Sequence, residues 1–525
     1  MIDIVLSERD FDYELQALVT GFFPGVRNRV VIQDQQEEKE IKKLAQKEAE
    51  DGVSFLVGVF LGKYEIKVWA FGKGEIVYNT VNVTGEQDFH KHRDKTTHPY
   101  RTAYKNKLKK ALFVLLRDIK QELLPGEAVR SIPVWGTMTG VRPTKIPMNL
   151  LLAGEPLEKV SRSMEEEYCC STQKSQLCLE IAEREADLLK KADYLSGYSL
   201  YVGIPFCPST CLYCSFPSYP VEQFGKLIPD YLEALKKEIR SCGKMQQGKK
   251  LTSVYIGGGT PTALSAQQLH DMLQCLYESF PVRDAVEMTV EAGRPDSITR
   301  EKLMVLREFG VERISVNPQT MQEKTLQKIG RHHTVRQTQE IFTLARECGF
   351  QNINMDLIIG LPGETVEDFR DTLRQLKELA PDSITIHSLV VKRASRLRRL
   401  LDEGAVPEEE RARRMEQMMD LGQQFAAYNG YKPYYMYRQK NTAGYAGSSG
   451  QENIGFAKEG KECLYNILIM EEMQSIVALG AGASTKRYDR EHHIVSRIEN
   501  VKSVTDYIAR IDEMLQRKKV NGLGD

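Results

Sequence analysis

A regular alternation of short apolar segments and longer helical segments runs through the middle of the chain. Six apolar, β-branched segments predict strands at 199–204, 252–257, 286–291, 312–316, 353–358 and 383–388. Helical periodicity lies between them, at about 223–241, 265–279, 299–309, 335–348 and 365–379. Repeated strand–helix units predict parallel strands joined by right-handed crossovers. Because six units are too few for a complete barrel of eight, we predict an α/β fold built on a partial (β/α)6 TIM-like barrel.

The chain before this alternation has a different pattern. Apolar segments at 53–60, 64–71 and 75–83 predict consecutive antiparallel strands, and helical periodicity covers 104–123 and 170–194. The 525 residues also exceed what one hydrophobic core usually organises. We therefore predict three domains, namely an α+β N-terminal extension at 1–195, the partial barrel at 196–400 and a mainly helical domain at 401–525.

Charge and hydropathy exclude several classes of function. The 72 lysines and arginines balance 72 acidic residues, so net charge favours neither nucleic acid nor an anionic membrane as a partner. No apolar run approaches the roughly 18 residues that predict a membrane span. The first 14 residues lack the basic start and apolar run of a signal peptide. We therefore expect a cytoplasmic protein with no membrane span and no nucleic-acid partner.

Three of the ten cysteines lie in one segment, YVGIPFCPSTCLYCSFPSYP, with the spacing C-x3-C-x2-C. Three thiolates this close can hold three irons of a [4Fe–4S] cube and leave the fourth iron open to a small chelating ligand. A structural zinc site takes four ligands, and the segment has no fourth Cys or His. Three prolines argue against three core cysteines on one helix. We predict a [4Fe–4S] cluster held by Cys207, Cys211 and Cys214.

Polar and glycine-rich positions follow the predicted strands, at the carboxyl ends where such barrels collect their active groups. GGGTPT at 257–262 ends the second strand, and glycines let the backbone approach a ligand closely. Glu291 ends the third strand, Gln319 follows the fourth and Asp356 lies within the fifth. Each side chain alone is equally consistent with a structural hydrogen bond. Together, at successive strand ends, they predict a ligand site.

These motifs together resemble a known family. The cysteine spacing directly after the first strand resembles the signature of the radical S-adenosylmethionine (SAM) superfamily. YVGIPFC, GGGTP, Gln319 followed twelve residues later by Arg331, and MDLIIGLPGET resemble the oxygen-independent coproporphyrinogen III oxidases, and among them the coproporphyrinogen dehydrogenase (HemZ) group. WGTMTGVRPTK at 135–145 resembles the N-terminal extension of that group. The resemblance implies a radical SAM oxidoreductase whose cluster binds SAM at its open iron, and a C-terminal domain that covers the substrate.

The resemblance also implies a set of SAM contacts. They are Tyr201, Tyr213, Gly258, Gly259, Thr260, Glu291, Gln319, Arg331, Asp356 and Val390. Glu291 and Asp356 would accept hydrogen bonds from the ribose or methionine part, and Arg331 would pair with a carboxylate. Val390 is placed by counting from the Pro381–Asp382 pair. No side chain is predicted to be catalytic in its own right.

The implied reaction belongs to heme biosynthesis: a 5′-deoxyadenosyl radical drives oxidative decarboxylation of coproporphyrinogen III propionates to vinyl groups, giving protoporphyrinogen IX. An unidentified electron donor protein is an expected partner. The propionates need cationic partners, and a basic run follows the sixth strand. Its members are Lys392, Arg393, Arg396, Arg398 and Arg399. The alternative for such a run is a solvated helix face.

Three positions depart from the family pattern and leave other functions open. Phe216 stands where the well-studied oxidases have a fourth cysteine, Gly203 replaces a His, and EAGRP at 291–295 is one residue longer than E-x-x-P. A heme chaperone of the same family also lacks the fourth cysteine, and a radical SAM enzyme that opens the heme ring is another alternative. The N-terminal domain could bind another protein. There, Trp135 and Arg142 are either exposed-loop residues or part of a packing motif.

Overall fold

The computed structural model describes residues 1–23, 26–33, 40, 42–44, 55–72, 75–83, 99–123, 132–214, 218–390, 397, 408–439, 452–492 and 494–523. The chain forms two compact units. The first contains Met1–Leu179, and the second contains Glu180–Gln439 and Gly450–Asp525. The division into three domains stays a prediction. Within the described part of the chain, no helix is both long enough and apolar enough to cross a membrane.

The first unit is built on a five-stranded mixed sheet with the order β2-β1-β3-β4-β5. Its strands are β1 (Ile2–Leu6), β2 (Asn28–Ile32), β3 (Phe55–Leu61), β4 (Glu65–Gly72) and β5 (Glu75–Asn82). Its helices are α1 (Asp12–Phe22), α2 (Pro99–Leu123), α3 (Lys145–Leu152) and α4 (Leu157–Glu166), and α5 (Thr172–Ala192) begins in it. The antiparallel pairing of β3, β4 and β5 confirms the prediction for these three strands.

The central strand β1 was not expected from the sequence pattern. It lies parallel to both β2 and β3, and all five of its side chains are buried. The buried carboxylate of Asp3 is paired with Arg29 at 2.8 Å, which permits a charge inside the sheet. A fully buried strand shows no alternation of apolar and polar residues, so periodicity could not reveal it.

Trp135 belongs to the packing of the first unit. Its side chain is 1% exposed, and the Lys174 ammonium lies 5.7 Å from the centroid of its ring. Arg142 is half-buried. The interpretation of Trp135 as an exposed-loop residue is therefore wrong, and the alternative of a packing motif is right. The composition of a loop does not reveal whether its aromatic residue turns inward.

The second unit is built on an eleven-stranded mixed sheet and a small two-stranded one. Its strands are β6 (Gly197–Ile204), β7 (Phe206–Cys207), β8 (Tyr219–Pro220), β9 (Lys250–Gly258), β10 (Glu287–Gly293), β11 (Arg313–Val316), β12 (Asn352–Ile359), β13 (Ser383–Ser388), β14 (Lys432–Arg438), β15 (Glu452–Ala457), β16 (Ser475–Leu479), β17 (Ser484–Asp489) and β18 (Ile494–Glu499). Its helices are α6 (Val221–Phe224), α7 (Ile228–Met245), α8 (Ala266–Ser279), α9 (Arg300–Glu308), α10 (Glu323–Lys328), α11 (Val335–Glu347), α12 (Val366–Leu379), α13 (Glu408–Tyr428), α14 (Leu464–Glu471), α15 (Val504–Ala509) and α16 (Ile511–Val520).

Six parallel strands form the centre of the large sheet, in the order β13-β12-β11-β10-β9-β6. All six predicted strand segments coincide with them within two residues, and helices lie in every predicted interval. Three crossover helices begin with capping boxes, at Ser265, Thr334 and Thr365. Such boxes satisfy the first backbone N–H groups of a helix. They therefore fix where each loop after a strand ends and its helix begins.

The C-terminal part of the chain contributes strands that the sequence pattern did not predict. β15 pairs antiparallel with β13, β14 pairs with β15, and β16 pairs parallel with β6. β17 and β18 extend the sheet beyond β16. The described residues after position 400 therefore form both strands and helices. Strand β16 follows α14 within one apolar stretch, where a short buried strand and a helix look alike in sequence.

Candidate functional site

The cysteine loop, residues 205–214, begins where β6 ends. Backbone hydrogen bonds join it to the residues that follow β9. Gly259 N–H donates to the Ile204 carbonyl at 2.7 Å, and Thr260 N–H donates to the Phe206 carbonyl at 2.8 Å. Farther along the loop, Leu212 N–H donates to the Ile329 carbonyl at 3.1 Å. Backbone bonds to two other parts of the chain, the segment after β9 and Ile329, thus hold the segment that carries the cysteines.

The three cysteines differ in exposure. Cys207 is buried, whereas Cys211 and Cys214 are half-buried, and Cys214 N–H donates to the Cys211 carbonyl at 3.1 Å. The Thr260 hydroxyl lies 3.5 Å from the Cys207 sulfur. Burial raises the pKa of the Cys207 thiol to about 11, and the nearby thiols of Cys214 and Cys211 act in the same direction. A cationic centre bound to this sulfur would favour its thiolate form.

The donor chemistry of this loop fits an iron–sulfur cluster. Three soft thiol donors lie on one short loop, and each would take a separate iron of a cube. Within the described ranges, no group of three or more His, Cys, Asp or Glu side chains could hold a metal ion as a single centre. In the superfamily that the sequence resembles, the same spacing holds a cluster with one open iron.

The glycine segment 257–259 lies against both the cysteine loop and a strand-end carboxylate. A Cβ at Gly259 would lie 2.6 Å from the Phe206 carbonyl oxygen and 2.9 Å from the Cys207 sulfur. A Cβ at Gly257 would lie 2.8 Å from Glu291 Oε2. Gly258, between them, has a φ of +108°, which favours glycine. The segment therefore links the position of the cysteines to that of Glu291.

Glu291 lines a cavity of about 170 Å³ inside the second unit. Its carboxylate accepts a hydrogen bond from the Tyr255 hydroxyl. Burial raises the pKa of Glu291 to about 7, although the bonds from Tyr255 and from the Gly258 backbone oppose this. The negative charge of Asp356 raises it further. The carboxyl group of Glu291 therefore changes its protonation state near neutral pH.

Asp356 lines the same cavity but is held in the ionised state. Burial alone would raise its pKa, yet the nearby His387 ring, with the polar groups of Asn354 and Thr385, holds the pKa of Asp356 below its usual value. Asn354 Nδ2 donates to Oδ1 at 2.7 Å, and His387 Nε2 lies 3.8 Å from Oδ2. Asp356 is thus a fixed hydrogen-bond acceptor on the cavity wall.

Two more predicted SAM contacts, Arg331 and Tyr213, lie at the cysteine loop. Arg331 is buried, and its Nε donates to the Tyr213 hydroxyl at 3.0 Å while Nη1 donates to the Asn317 carbonyl. Tyr213 packs against the apolar cluster that contains Leu389. In this structure Arg331 therefore braces the cysteine loop through Tyr213.

Gln319 and Val390 lie at strand ends. Gln319 has a φ of +70°, a left-handed conformation that is uncommon for a residue with a side chain. Its backbone bridges to β12, because Gln319 N–H donates to the Asp356 carbonyl at 2.9 Å and its carbonyl accepts from Ile358 at 2.9 Å. Val390 is half-buried and comes directly after β13 and Leu389.

Tyr201 lies in a row of stacked rings. Its ring centroid is 6.4 Å from that of Tyr255 and 6.3 Å from that of Tyr465, and the latter two are 4.5 Å apart. The row ends at the carboxylate of Glu291, to which Tyr255 is bonded. The structure therefore brings Tyr201, Glu291 and the glycine segment together.

Several site residues were not predicted from the sequence. Arg294 contacts the cysteine loop, and the extra residue of the EAGRP motif was the signal for it. His387 lies on the same face of β13 as Thr385, so polar residues at alternate positions could have revealed it. The basic run at 392–399, apart from Leu397, and Phe216 lie outside the described residues.

Comparison with known proteins agrees with this geometry. The family profile described as Radical SAM superfamily matches residues 201–376. The oxygen-independent coproporphyrinogen-III oxidase-like protein HemZ of Bacillus subtilis (strain 168) is 40% identical over 391 residues, which are 73% of this chain and 76% of that protein. The heme chaperone HemW of the same organism is 36% identical over 226 residues, 42% of this chain and 59% of that relative.

A solved structure supports the fold. The coproporphyrinogen III oxidase HemN from Escherichia coli, a radical SAM enzyme, matches with a TM-score of 0.50 and 24% identity over 63% of this chain and 73% of that chain. The chain belongs to the radical SAM superfamily and, within it, to the family of HemZ-like, oxygen-independent coproporphyrinogen-III oxidase-like proteins. Membership of this superfamily implies a [4Fe–4S] cluster and SAM as cofactors.

Proposed function

We propose that the protein catalyses the oxygen-independent oxidative decarboxylation of coproporphyrinogen III, which turns propionate side chains into the vinyl groups of protoporphyrinogen IX. Its 40% identity with HemZ supports the choice of reaction. The observation that carries the proposal is the glycine segment, which lies against Cys207 at one end and Glu291 at the other. When bound, a reduced [4Fe–4S] cluster and SAM would supply a 5′-deoxyadenosyl radical able to take one hydrogen atom from the β-carbon of a propionate, after which loss of carbon dioxide and of one electron to an external acceptor would leave the vinyl group.

The chain's own residues would bind and orient these groups. Cys207, Cys211 and Cys214 would each supply one thiolate. The backbone of the glycine segment, which carries no side chains of its own, would approach the methionine part of SAM beside the cluster. Arg331, braced by Tyr213, would pair with the SAM carboxylate.

The carboxylates of Glu291 and Asp356 in the cavity would bind the ribose of SAM. Glu291 and Asp356 are acceptors on one cavity wall, and ribose hydroxyls are donors. A hydrogen bond from Asn354 fixes Asp356 before any ligand arrives, and the His387 ring lies 3.8 Å away, so little ordering remains to be done on binding. Tyr201, Gly258, Gly259, Thr260, Gln319 and Val390 complete the proposed set of SAM contacts.

The architecture proposed around this site is a partial (β/α)6 barrel. The six adjacent parallel strands β6, β9, β10, β11, β12 and β13 support it, and SAM would lie at their carboxyl ends. The region 401–525 would cover the substrate, and the basic run at 392–399 would pair with its propionates. An electron donor protein would reduce the cluster.

A heme chaperone is the second candidate, and the similarity to HemW over 226 residues favours it. Cys214 is followed by Ser215 and Phe216, as in the chaperone pattern C-x-F. A chaperone would bind heme and release it without forming vinyl groups. The two functions therefore differ in products and not in cofactors.

One experiment separates these functions. The protein is reconstituted with iron and sulfide without oxygen, reduced, and supplied with SAM, coproporphyrinogen III and a one-electron acceptor for the substrate radical, with Cys211→Ala as the matched control. We expect protoporphyrinogen IX and 5′-deoxyadenosine from the wild type only. Stoichiometric heme binding without vinyl product would favour the chaperone, and SAM-dependent loss of the heme absorbance would favour an enzyme that opens the heme ring.

A further inference from the structure

Arg294 is a buried cation at the cysteine loop that the family resemblance does not assign. Its side chain is 4% exposed. Its Nη1 donates to the Ser209 hydroxyl at 2.7 Å and to the Ser209 carbonyl at 3.0 Å, and lies 3.7 Å from the Cys211 sulfur. One guanidinium nitrogen thus contacts both the backbone of the loop and a proposed ligand of the cluster.

The other edge of the same guanidinium is bound to Asp296. Nε and Nη2 of Arg294 donate to the two carboxylate oxygens at 2.9 and 2.5 Å. Burial would raise the pKa of Asp296, but these bonds and the charge of Arg294 hold it below its usual value, so Asp296 is ionised. The carboxylate therefore fixes the orientation of Arg294 and offsets part of its charge.

The surrounding groups leave the loop in a cationic environment. Arg331 is a second buried guanidinium beside the loop, bonded to Tyr213. His333 is buried nearby, and its burial, together with the charge of Arg331, lowers its pKa to about 3, so it is neutral. Among the described residues, the guanidinium groups of Arg294 and Arg331 therefore lie near Cys211, together with the carboxylate of Asp296.

A local irregularity of β10 accompanies the position of Arg294. The pairing of β10 with β11 shifts register between Val290 and Gly293, as in a β-bulge. Bulges turn side chains that a regular strand would direct elsewhere. The bulge lies in the motif E-x-x-x-P, which is one residue longer than the family's usual E-x-x-P. The added residue of the motif and the contact between Arg294 and the cysteine loop therefore occur at the same place in the chain.

We propose that Arg294 is a positioning residue of the cluster that holds the Ser209–Cys211 part of the loop and raises the cluster's reduction potential. Reduction adds a negative charge to the cluster, and a nearby cation with an N–H directed at a ligand sulfur stabilises that charge in a buried site. The negative charge of Asp296 offsets part of the positive charge of Arg294 and therefore opposes this rise in the reduction potential. The proposal rests on the proposed cluster at Cys207, Cys211 and Cys214.

The two residues therefore predict shifts of opposite sign. Arg294→Gln removes the cation, so the midpoint potential of the reconstituted cluster should become more negative. Asp296→Asn leaves the cation uncompensated, so the midpoint should become more positive. Arg300→Gln is the matched control, because this nearby arginine is exposed and pairs with Glu347. Its midpoint should equal that of the wild type.

The measurement is a redox titration of the full chain without SAM, followed by electron paramagnetic resonance, with iron and sulfide determined for each variant. A wild-type midpoint in Arg294→Gln at full iron content would overturn the proposal, as would shifts of the same sign in both variants. If Arg294→Gln loads no iron, Asp296→Asn decides: a positive shift supports the proposal, and any other result overturns it. Absence of iron from the wild type would instead overturn the proposed function.

Discussion

Glu291 and Asp356 line one cavity, yet their surroundings change their proton affinities in opposite directions. Burial raises the pKa of Glu291 to about 7. Despite its burial, the nearby His387 ring, together with Asn354 and Thr385, holds the pKa of Asp356 below its usual value. Opposite shifts of two carboxylates in one site are a feature of ligand and catalytic centres. The first three predictions concern this cavity and the glycine segment beside it.

SAM binding should weaken as the pH falls through about 7. The proposed acceptor of the ribose hydroxyls is the ionised form of Glu291, which is lost below its pKa of about 7. With one proton linked to binding, affinity should fall up to about tenfold per pH unit below that value and level off above it. Equilibrium dialysis of SAM against the reconstituted protein measures this. Glu291→Gln should bind weakly at every pH, and a flat wild-type profile would exclude Glu291 as the linked group.

Tyr255→Phe should move the same profile to higher pH. The Tyr255 hydroxyl donates to Glu291 and lowers its pKa, so its removal raises that pKa further. Leaving the buried acceptor short of one bond costs about 1–3 kcal/mol. Tyr277→Phe is the control, because it removes a hydroxyl bonded to the Phe309 carbonyl, away from the cavity. An identical SAM profile in Tyr255→Phe and the wild type would contradict this role.

Gly259→Ala should lower the iron content of the reconstituted protein. The added methyl group would lie 2.9 Å from the Cys207 sulfur and 2.6 Å from a backbone oxygen of the same loop. Backbone cannot move aside as a flexible side chain can, so the cysteine loop must shift, at a cost of about 1–3 kcal/mol. Gly140→Ala, where no atom lies within 4 Å, should load iron like the wild type. Equal iron in both variants would show that the close contact is unimportant.

Lys518→Met should strongly destabilise the second unit. Lys518 in α16 and Glu238 in α7 are both fully buried and lie 3.3 Å apart. Removing the cation leaves a buried carboxylate without its charge partner, which costs about 3–5 kcal/mol. Chemical denaturation of this variant and of Lys519→Met, whose side chain is exposed, measures the difference. Similar denaturation midpoints for the two variants would show that the buried pair of Lys518 and Glu238 does not stabilise the second unit.

The alternation of strands and helices made the centre of the second unit predictable. Apolar segments bounded by helix caps such as Thr334 and Thr365 leave few other topologies. Strands β1 and β16 escaped prediction because a short, fully buried strand has no periodicity of its own. Its partners lie far away in the sequence, so the pairing is decided by tertiary structure.

The site was predictable where a motif carries it. The cysteines and glycines have fixed spacing, so resemblance located them. Arg294 and His387 act through partners brought together only by the fold, at Cys211 and Asp356. No local pattern distinguishes a buried arginine from a solvated one.

The central claim is that Cys207, Cys211 and Cys214 hold a [4Fe–4S] cluster. Its most direct test is the iron and sulfide content, after anaerobic reconstitution, of the wild type and of single Cys→Ala variants. We expect about four irons in the wild type, loss of the cluster in each of these three variants, and a full cluster in Cys242→Ala and Cys348→Ala. Full iron and sulfide in any one of the three, or loss of the cluster in either control, would contradict the account.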